Sequence, residues 1–552
     1  MKRSAPLLFA ILVALVACDP AEPTPRDDDA GVPPRGDAAP PSGDASVPDA
    51  GRADSGVPEP DCAATDGARC LYVAVDGDDE ADGSLEAPLQ TFQAAIGRAQ
   101  PGDFIYARGG TYGLENAAIA RLQRLPRATF SPPCAGDQVE ADGYCQVPYR
   151  AFAAIGDWNG YPLPDHDGHE SPSGEPGRPI TLRNFPGEQP VLDMRLLERD
   201  AAIEDALVQS QRYAIAIQKS HWVIRGFEII GGSVNLSGNI EDITIEDCDV
   251  HDVTRDGGDN PGLIRLNRGP EDVRILNSRL HGIYDHEQPG EWRSVPDAQH
   301  FGAVTTLSGE TYGGMDDTGA VEIRGNVIFE VPQVFFFKNA ARGPIEIVDN
   351  EIYDSGRLAS IVTSNVRLAG NLVHGVPSGI WRHGQGFTEL GDMNPEVLAL
   401  DGHMLTLEYN TFVGLEGTML SSGHGEGRVL RHNLVFGLPS VAATANWDSG
   451  AWLKLREDVP PSESKLLRYE SDDNCFVVPD AGFQYAARYP SEGRVQHHDL
   501  AEGRSLFGLE SRSVVVVSDD PASVFVDPDA GDYALRSGHA CGADSGHTAF
   551  RE

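Results

Sequence analysis

Lysine is nearly missing from this chain: there are five among 43 basic residues, and those 43 face 84 acidic ones. The resulting formal charge of −41 repels phosphate backbones and anionic headgroups, which argues against nucleic acid as a partner. Long apolar runs are also lacking beyond Leu7–Ala17, which is too short to span a bilayer. Helical periodicity is scarce. With 61 glycines and 39 prolines in 552 residues, the composition excludes a mostly helical chain and favours short strands and turns. At this length a single compact core is excluded, so the chain forms several domains or extends by repetition.

Residues 1–18 read as a signal peptide: Lys2 and Arg3 precede the apolar run, and Leu15-Val16-Ala17-Cys18 closes it. That tetrapeptide resembles the lipobox of bacterial lipoproteins. The resemblance implies cleavage before Cys18, acylation of Cys18 and attachment to a membrane through the N-terminal lipid only. Residues 19–61 carry 11 acidic and 3 basic side chains among Asp, Pro, Ala, Gly and Ser and read as a disordered tether. Residues 62–552 form the folded domain. The expected location is the exported bacterial cell envelope, where disulfides persist. Cys62–Cys70, Cys134–Cys145 and Cys475–Cys541 are the expected bridges, which leaves Cys248 as a buried thiol.

The fold is set by an internal repeat in which apolar residues alternate on either side of a recurring Asn. VEIRGNVIF (Asn326), IEIVDNEIY (Asn350), VRLAGNLVH (Asn371), LTLEYNTFV (Asn410), VLRHNLVF (Asn433) and ESDDNCFVV (Asn474) carry it, and Phe227, Cys248 and Ser278 hold the same slot earlier. Undisturbed spacings run from 21 to 24 residues. Units of two or three short strands without a helix predict a parallel β-helix with coils about 4.8 Å apart; a β-propeller blade needs roughly twice the length. The Asn is expected to take the left-handed corner and to join a hydrogen-bonded file from coil to coil. Insertions are expected near 113–175, 285–317, 382–402 and 444–465, the last three leaving the second strand of their coils and lining one face. Thr91–Ala99 reads as a Thr-capped helix that plugs the first coil.

Four further stretches carry a family resemblance. YVAVDGDDEADGSLEAPLQTFQAAIGRAQPGDFIYARGGTYG (72–113), EPGRPITLRNFPGEQPVLD (175–193) and HWVIRGFEIIGG (221–232) resemble exported proteins of the pectate-lyase-like superfamily, as does the closing FVDPDAGDYALRSGHACGADSG (525–546). The resemblance implies an all-β fold: a single-stranded right-handed parallel β-helix solenoid with an N-terminal capping helix and long loops on one face. The polysaccharide lyases of that group use a Lys or Arg base, commonly with calcium, to remove the proton beside a uronate carboxylate and expel the sugar at C4. A hard cation that masks the carboxylate raises the acidity of that C–H bond.

Counting from the Asn slots puts Lys338 and Arg382 at equivalent positions in their coils, and the lyase resemblance then implies Lys338 as base and Arg382 as substrate clamp, with His383, His286, His424 and Trp292 around the substrate. Asp256, Asp259 and Asp285 are the expected calcium ligands, all of these residues lying along one acidic-to-basic edge. Trp447 and Trp452 fall in the same inserted loops, where an exposed indole stacks on sugar. The expected partner is an acidic polysaccharide. Two other functions fit the same residues: a non-catalytic glycan-binding or adhesion β-helix, and a glycoside hydrolase with paired carboxylates.

Overall fold

The computed structural model describes Cys62 and residues 67–126, 144–156, 171–197, 213–255, 262–285, 290–294, 302–307, 319–337, 344–361, 365–382, 405–415, 418–422, 428–438, 451–457, 459–480, 483–489 and 495–550. Among the described residues most strands fall into three sheets of twelve, whose neighbours come from successive coils, and the rest form two antiparallel pairs. Apart from one antiparallel edge strand, Gln496–His498, the pairing in these sheets is parallel. Each coil contributes one strand to each sheet in turn, as in Val321–Arg324, Val327–Phe329 and Gln333–Phe337. This is a right-handed parallel β-helix. No helix among the described residues is long and apolar enough to cross a membrane.

The corner between the first and second sheets has a fixed form. In nine successive coils two residues separate the strands, from Gly226-Phe227 to Asp473-Asn474. The first of the two is left-handed: Gly325 has φ 67°, Asp349 54°, Gly370 66° and Tyr409 55°. The Asn itself is not, so the expectation that it takes the strained corner is corrected: its predecessor turns the chain, and Gly does so without steric cost.

Relieved of the turn, the Asn is free to bridge coils. Asn326 Nδ2 donates to Asn350 Oδ1 (3.0 Å) and to the Ile275 carbonyl of the preceding coil (2.9 Å), while its backbone N–H also donates to Asn350 Oδ1 (2.9 Å). The pattern repeats through Asn371, Asn410 and Asn433 to Asn474. Each of the five amides from Asn326 to Asn433 thus uses both donor hydrogens between coils, and the Oδ1 of each successor accepts twice. That is the complete pairing a buried amide requires. The file extends backwards with smaller side chains: Ser278 N–H donates to Asn326 Oδ1 (2.9 Å), and Cys248 N–H to Ser278 Oγ (3.1 Å). Cys248 is a buried free thiol, pushed up to about 11 by burial.

Both ends are plugged. Helix α1 (Phe92–Arg98) is capped by Thr91, whose hydroxyl accepts from Ala94 N–H (3.1 Å), and it buries Phe92, Ala95 and Ile96. Phe92 packs 4.9 Å from the Tyr112 ring and 6.0 Å from Phe227, the slot residue of an early coil. At the other end, helix α2 (Leu500–Phe507) buries Leu500, Gly503 and Phe507. A Cβ at Gly503 would meet the Tyr485 ring at 2.8 Å, so only Gly admits this approach. The Asn file ends on Glu510, whose carboxylate accepts from Ser471, Ser513, Asn474 (3.1 Å) and Tyr485 (2.9 Å). Burial pushes the Glu510 carboxyl above its ordinary value, against those hydrogen bonds.

The chain then runs back over the outer face of the second sheet. Phe525 packs on Phe436 (5.5 Å), Tyr533 on His374 (4.8 Å), and His547 N–H donates to Thr411 Oγ1 (3.0 Å). The expected Cys475–Cys541 bridge fastens this segment, and Cys62–Cys70 is also formed. Cys134 lies outside the described residues, as do Cys18 and the tether.

Replacing Asn371 with Ala strips the partners from both neighbouring amides, and unpaired buried polar groups cost about 1–3 kcal/mol each; we expect a loss of about 3 kcal/mol in urea unfolding. Glu510 adds a pH signature. Its raised folded pKa means that its contribution is full below the ordinary value of 4.5 and is lost as pH climbs through the folded value. The melting temperature of Glu510→Gln relative to the parent should therefore rise from pH 4.5 towards neutrality; a constant difference would place the burial cost elsewhere. Cys248 should resist alkylation at neutral pH until the chain is unfolded.

Candidate functional site

The segments that carry the proposed insertions flank the third sheet. Residues 286–301 lie between second-sheet strand Arg279–Asp285 and third-sheet strand Gly302–Leu307, whereas the 382–402 segment follows third-sheet strand Ser378–Arg382. The expectation that all three leave the second strand is thus corrected. A coil has three strands, and the slot counts recognised only the two around the Asn.

The face of the third sheet turned away from the core is polar. One register column runs Asn235–Arg265–Thr305–Phe336–Ser360 and continues by pairing through Trp381 and Ser421 to Lys454. Alternation puts it opposite the flanking core residues, such as Ile264 and Leu266 beside Arg265. The column is nonetheless buried: Asn235, Thr305 and Ser360 are 0 % exposed, Arg265 2 % and Lys454 8 %. Arg265 Nη1 donates to Tyr213 Oη (3.1 Å), and its guanidinium sits 5.5 Å from that ring. Ser360 Oγ donates to Gln333 Oε1 (2.8 Å), and Asn267 Nδ2 donates to Asn235 Oδ1. Asn235 Nδ2 and Thr305 Oγ1 have no partner. Buried polar atoms left unpaired cost free energy, so this column carries unmet hydrogen-bonding capacity.

Few of the residues expected from the sequence are among the described ones. Lys338, His383, His286, His424, Asp256 and Asp259, with Trp447, lie outside the described residues. Arg382 is the last residue of Ser378–Arg382; its register partner Ile361 pairs in turn with Phe337, the neighbour of Lys338 in the chain. Phe337 and Arg382 are thus two coils apart, while Lys338 itself lies outside the described residues. Asp285 instead ends a second-sheet strand, Arg279–Asp285, three coils earlier, or about 14 Å along the axis. Asp285 and Arg382 thus sit at opposite ends of the third-sheet strands, not along one edge. Trp292 is also corrected as an exposed platform: it is 7 % exposed, and the Arg293 guanidinium lies 4.3 Å from its ring centroid. Trp452 is a core residue packed against Phe412 and Phe476. Arg265 and Lys454 were missed, although each stands as a charge inside an apolar alternation, LIRL and LKL, the pattern of a strand with a polar outer face.

The outer face of the second sheet carries a different set. His251 and His281 stack with centroids 4.7 Å apart, and Phe329, Tyr353 and His374 continue the pile to Tyr533. Carboxylates edge it: His281 Nε2 lies 3.0 Å from Asp249, and His251 lies 3.2 Å from Asp252 and 3.4 Å from Glu228. Burial opposes the charge on His251, but the Asp252 hydrogen bond and the Asp252 and Asp249 charges outweigh it and raise its pKa. The His251 hydrogen bond, above all, holds the Asp252 carboxyl below its ordinary range. Among the described residues, Asp249, His251 and His281 are the one group with three donor atoms close enough to share an ion, all within 4.8 Å of one another. Two imidazole nitrogens do not suit calcium, which takes oxygen. This group is therefore not the calcium site expected from the sequence.

Residues 71–306 match the family described as Pel9A-like, right handed beta helix region. A curated protein, pectate lyase PEL9 of Emericella nidulans, is 52% identical over 78 residues, a match covering 13% of this chain and 18% of that protein's length. A solved structure of pectate lyase Pel9A shares 13% identity, covers 85% of this chain and 90% of its own, and superposes with a TM-score of 0.40. A rhamnogalacturonan lyase shares 13% over 74% of this chain and 87% of its own, with a TM-score of 0.35. The stacked coils and the family match agree: the described strands within residues 71–306 wind as a right-handed β-helix of the kind the Pel9A-like model describes, and the resemblance carried by the sequence holds for that stretch.

Proposed function

We propose that this chain is an exported polysaccharide lyase, attached to the cell envelope by lipid on Cys18, that cleaves a uronate-containing polymer lying along the outer face of the third sheet. The observation that carries this reading is the buried polar column, with Arg265 held on Tyr213 and unpartnered donors at Asn235 and Thr305. The Pel9A-like match, and a relative named as a pectate lyase, support the class of reaction.

In the reaction, Lys338 takes the proton from the carbon that bears the carboxylate. The electron pair forms a double bond to C4, and the C4–O bond breaks to release the sugar. Arg382 clamps the substrate, with His383, His286 and His424 along the bound chain, while Arg265, buried on Tyr213 beneath the sheet surface, adds positive charge under the uronate carboxylates. Asp256 and Asp259 offer the oxygen donors calcium prefers, and calcium held there would mask a substrate carboxylate charge. A chain of formal charge −41 needs such a cation to accept an anionic polymer.

The test is release of unsaturated product from pectate, alginate and related uronans, read as new ultraviolet absorbance. Arg382→Ala should lower kcat/KM by about 100-fold or more, the scale of removing one preorganised donor from a transition state, and Lys338→Ala should abolish turnover. A chelator should stop the reaction and calcium restore it. Tight binding with no turnover by the parent protein would select a glycan-binding β-helix instead, and products without a double bond would select a hydrolase.

A further inference from the structure

We infer that the outer face of the second sheet holds a zinc-type divalent ion on Asp249, His251 and His281, apart from the polymer groove and from any calcium. Three observations carry the inference. The first is a repeated geometry. An imidazole on one coil reaches the carboxylate two residues earlier in register on the preceding coil: His251 Nε2 to Glu228 Oε1 (3.4 Å), His281 Nε2 to Asp249 Oδ1 (3.0 Å) and His374 Nε2 to Glu351 Oε1 (3.4 Å). At His374 the neighbour along the stack is Tyr353, so that pair is isolated. At His251 and His281 two such diagonals are adjacent, and the donor atoms of Asp249, His251 and His281 come within 4.8 Å of one another.

The second observation is the support behind His251. Its Nδ1 faces Asp252 Oδ2 at 3.2 Å. A carboxylate behind one ring nitrogen fixes the tautomer that leaves the other to a metal, the arrangement found behind metal-bound histidines. Asp252 itself holds a left-handed backbone at φ 58°, a conformation Asp tolerates and most side chains do not. Arg195 lies 3.8 Å from its carboxylate and anchors it from the other side.

The third is the donor chemistry. Two imidazoles with Asp249, and Glu228 in reach as a fourth ligand, form a mixed nitrogen and oxygen set that favours zinc and its neighbours over calcium or magnesium. Tetrahedral zinc with bonds of about 2.0–2.1 Å sets its ligands about 3.3 Å apart. The stacked rings must therefore tilt edge-first towards a shared point. All three side chains are half-buried and able to make that movement. Asp249 also lines a cavity of about 480 Å³ with Arg183, Glu188, Arg225 and Asp247. Such an ion would tie the coils bearing Asp249 and His281 together on a face that the returning C-terminal segment contacts at His374 and beyond.

The test is a titration of the chelator-stripped full chain with zinc alone, in excess calcium, followed by cobalt substitution. We expect one zinc per chain, visible cobalt absorption, and a melting temperature that rises with zinc. His251→Ala and His281→Gln should each weaken binding at least about tenfold, whereas His374→Ala, which removes the isolated pair, should leave it unchanged. The Gln variant keeps a polar edge in the stack and decides the matter if the Ala variant does not fold. The inference is overturned if no zinc binds, if the His251→Ala/His281→Gln double variant still binds one zinc with parental affinity, or if His374→Ala loses as much as the other two. Failure of lyase activity would leave each of these readouts intact.

Discussion

Register between coils is the constraint on which everything else in this molecule rests. Parallel pairing along three sheets fixes the rise, and the Asn file fixes rotation, because each amide meets the next only when the corner residues stand directly above one another. Buried amides satisfied on all sides tolerate no slip: a shift of one residue would strand donors in an apolar interior and turn the core side chains outward. The polar column on the third sheet and the imidazole pile on the second exist because of this registration. Residues as distant in sequence as Asn235 and Ser360 share one wall.

The corner shows how the chain separates two demands that look like one in the sequence. The turn needs a left-handed residue, and the file needs an amide. Asn is suited to both, so the sequence pattern alone assigns both to it. The backbone gives the turn to the preceding position, where Gly, Asp, Tyr and His all occur, and reserves the Asn for bonding. At the start of the file the Ser278 hydroxyl relays the backbone bond as Oδ1 does further along, accepting from Cys248 N–H while Ser278 N–H donates to Asn326.

Much of the fold was legible because its signal is periodic. The repeat, the Thr91-capped plug, the Cys62–Cys70 and Cys475–Cys541 bridges and the buried Cys248 follow from spacing, alternation and turn chemistry. The third strand of each coil was harder to see, since it lacks a corner of constant length, and without it Asp285 and Arg382 were assigned to one edge. The polar wall was hidden for a related reason. Arg265 sits in a strand so apolar that it reads as core until its register partners are known. The imidazole pile was invisible to slot counting as well. His251, His281 and His374 lie in separate coils, and only pairing reveals that they share a column.

The two-residue corner has an evolutionary corollary. Where the first and second sheets meet, length is invariant over nine coils, whereas the segments at both ends of the third-sheet strands range from a few residues to more than twenty, and one holds the hairpin Ala118–Pro126 with Tyr144–Ala151. One side of the molecule is a ratchet and the other a set of sockets. Loops can be lengthened, exchanged or grafted at the sockets without disturbing the ratchet, so such a scaffold can be recast for a new ligand while its interior stays the same.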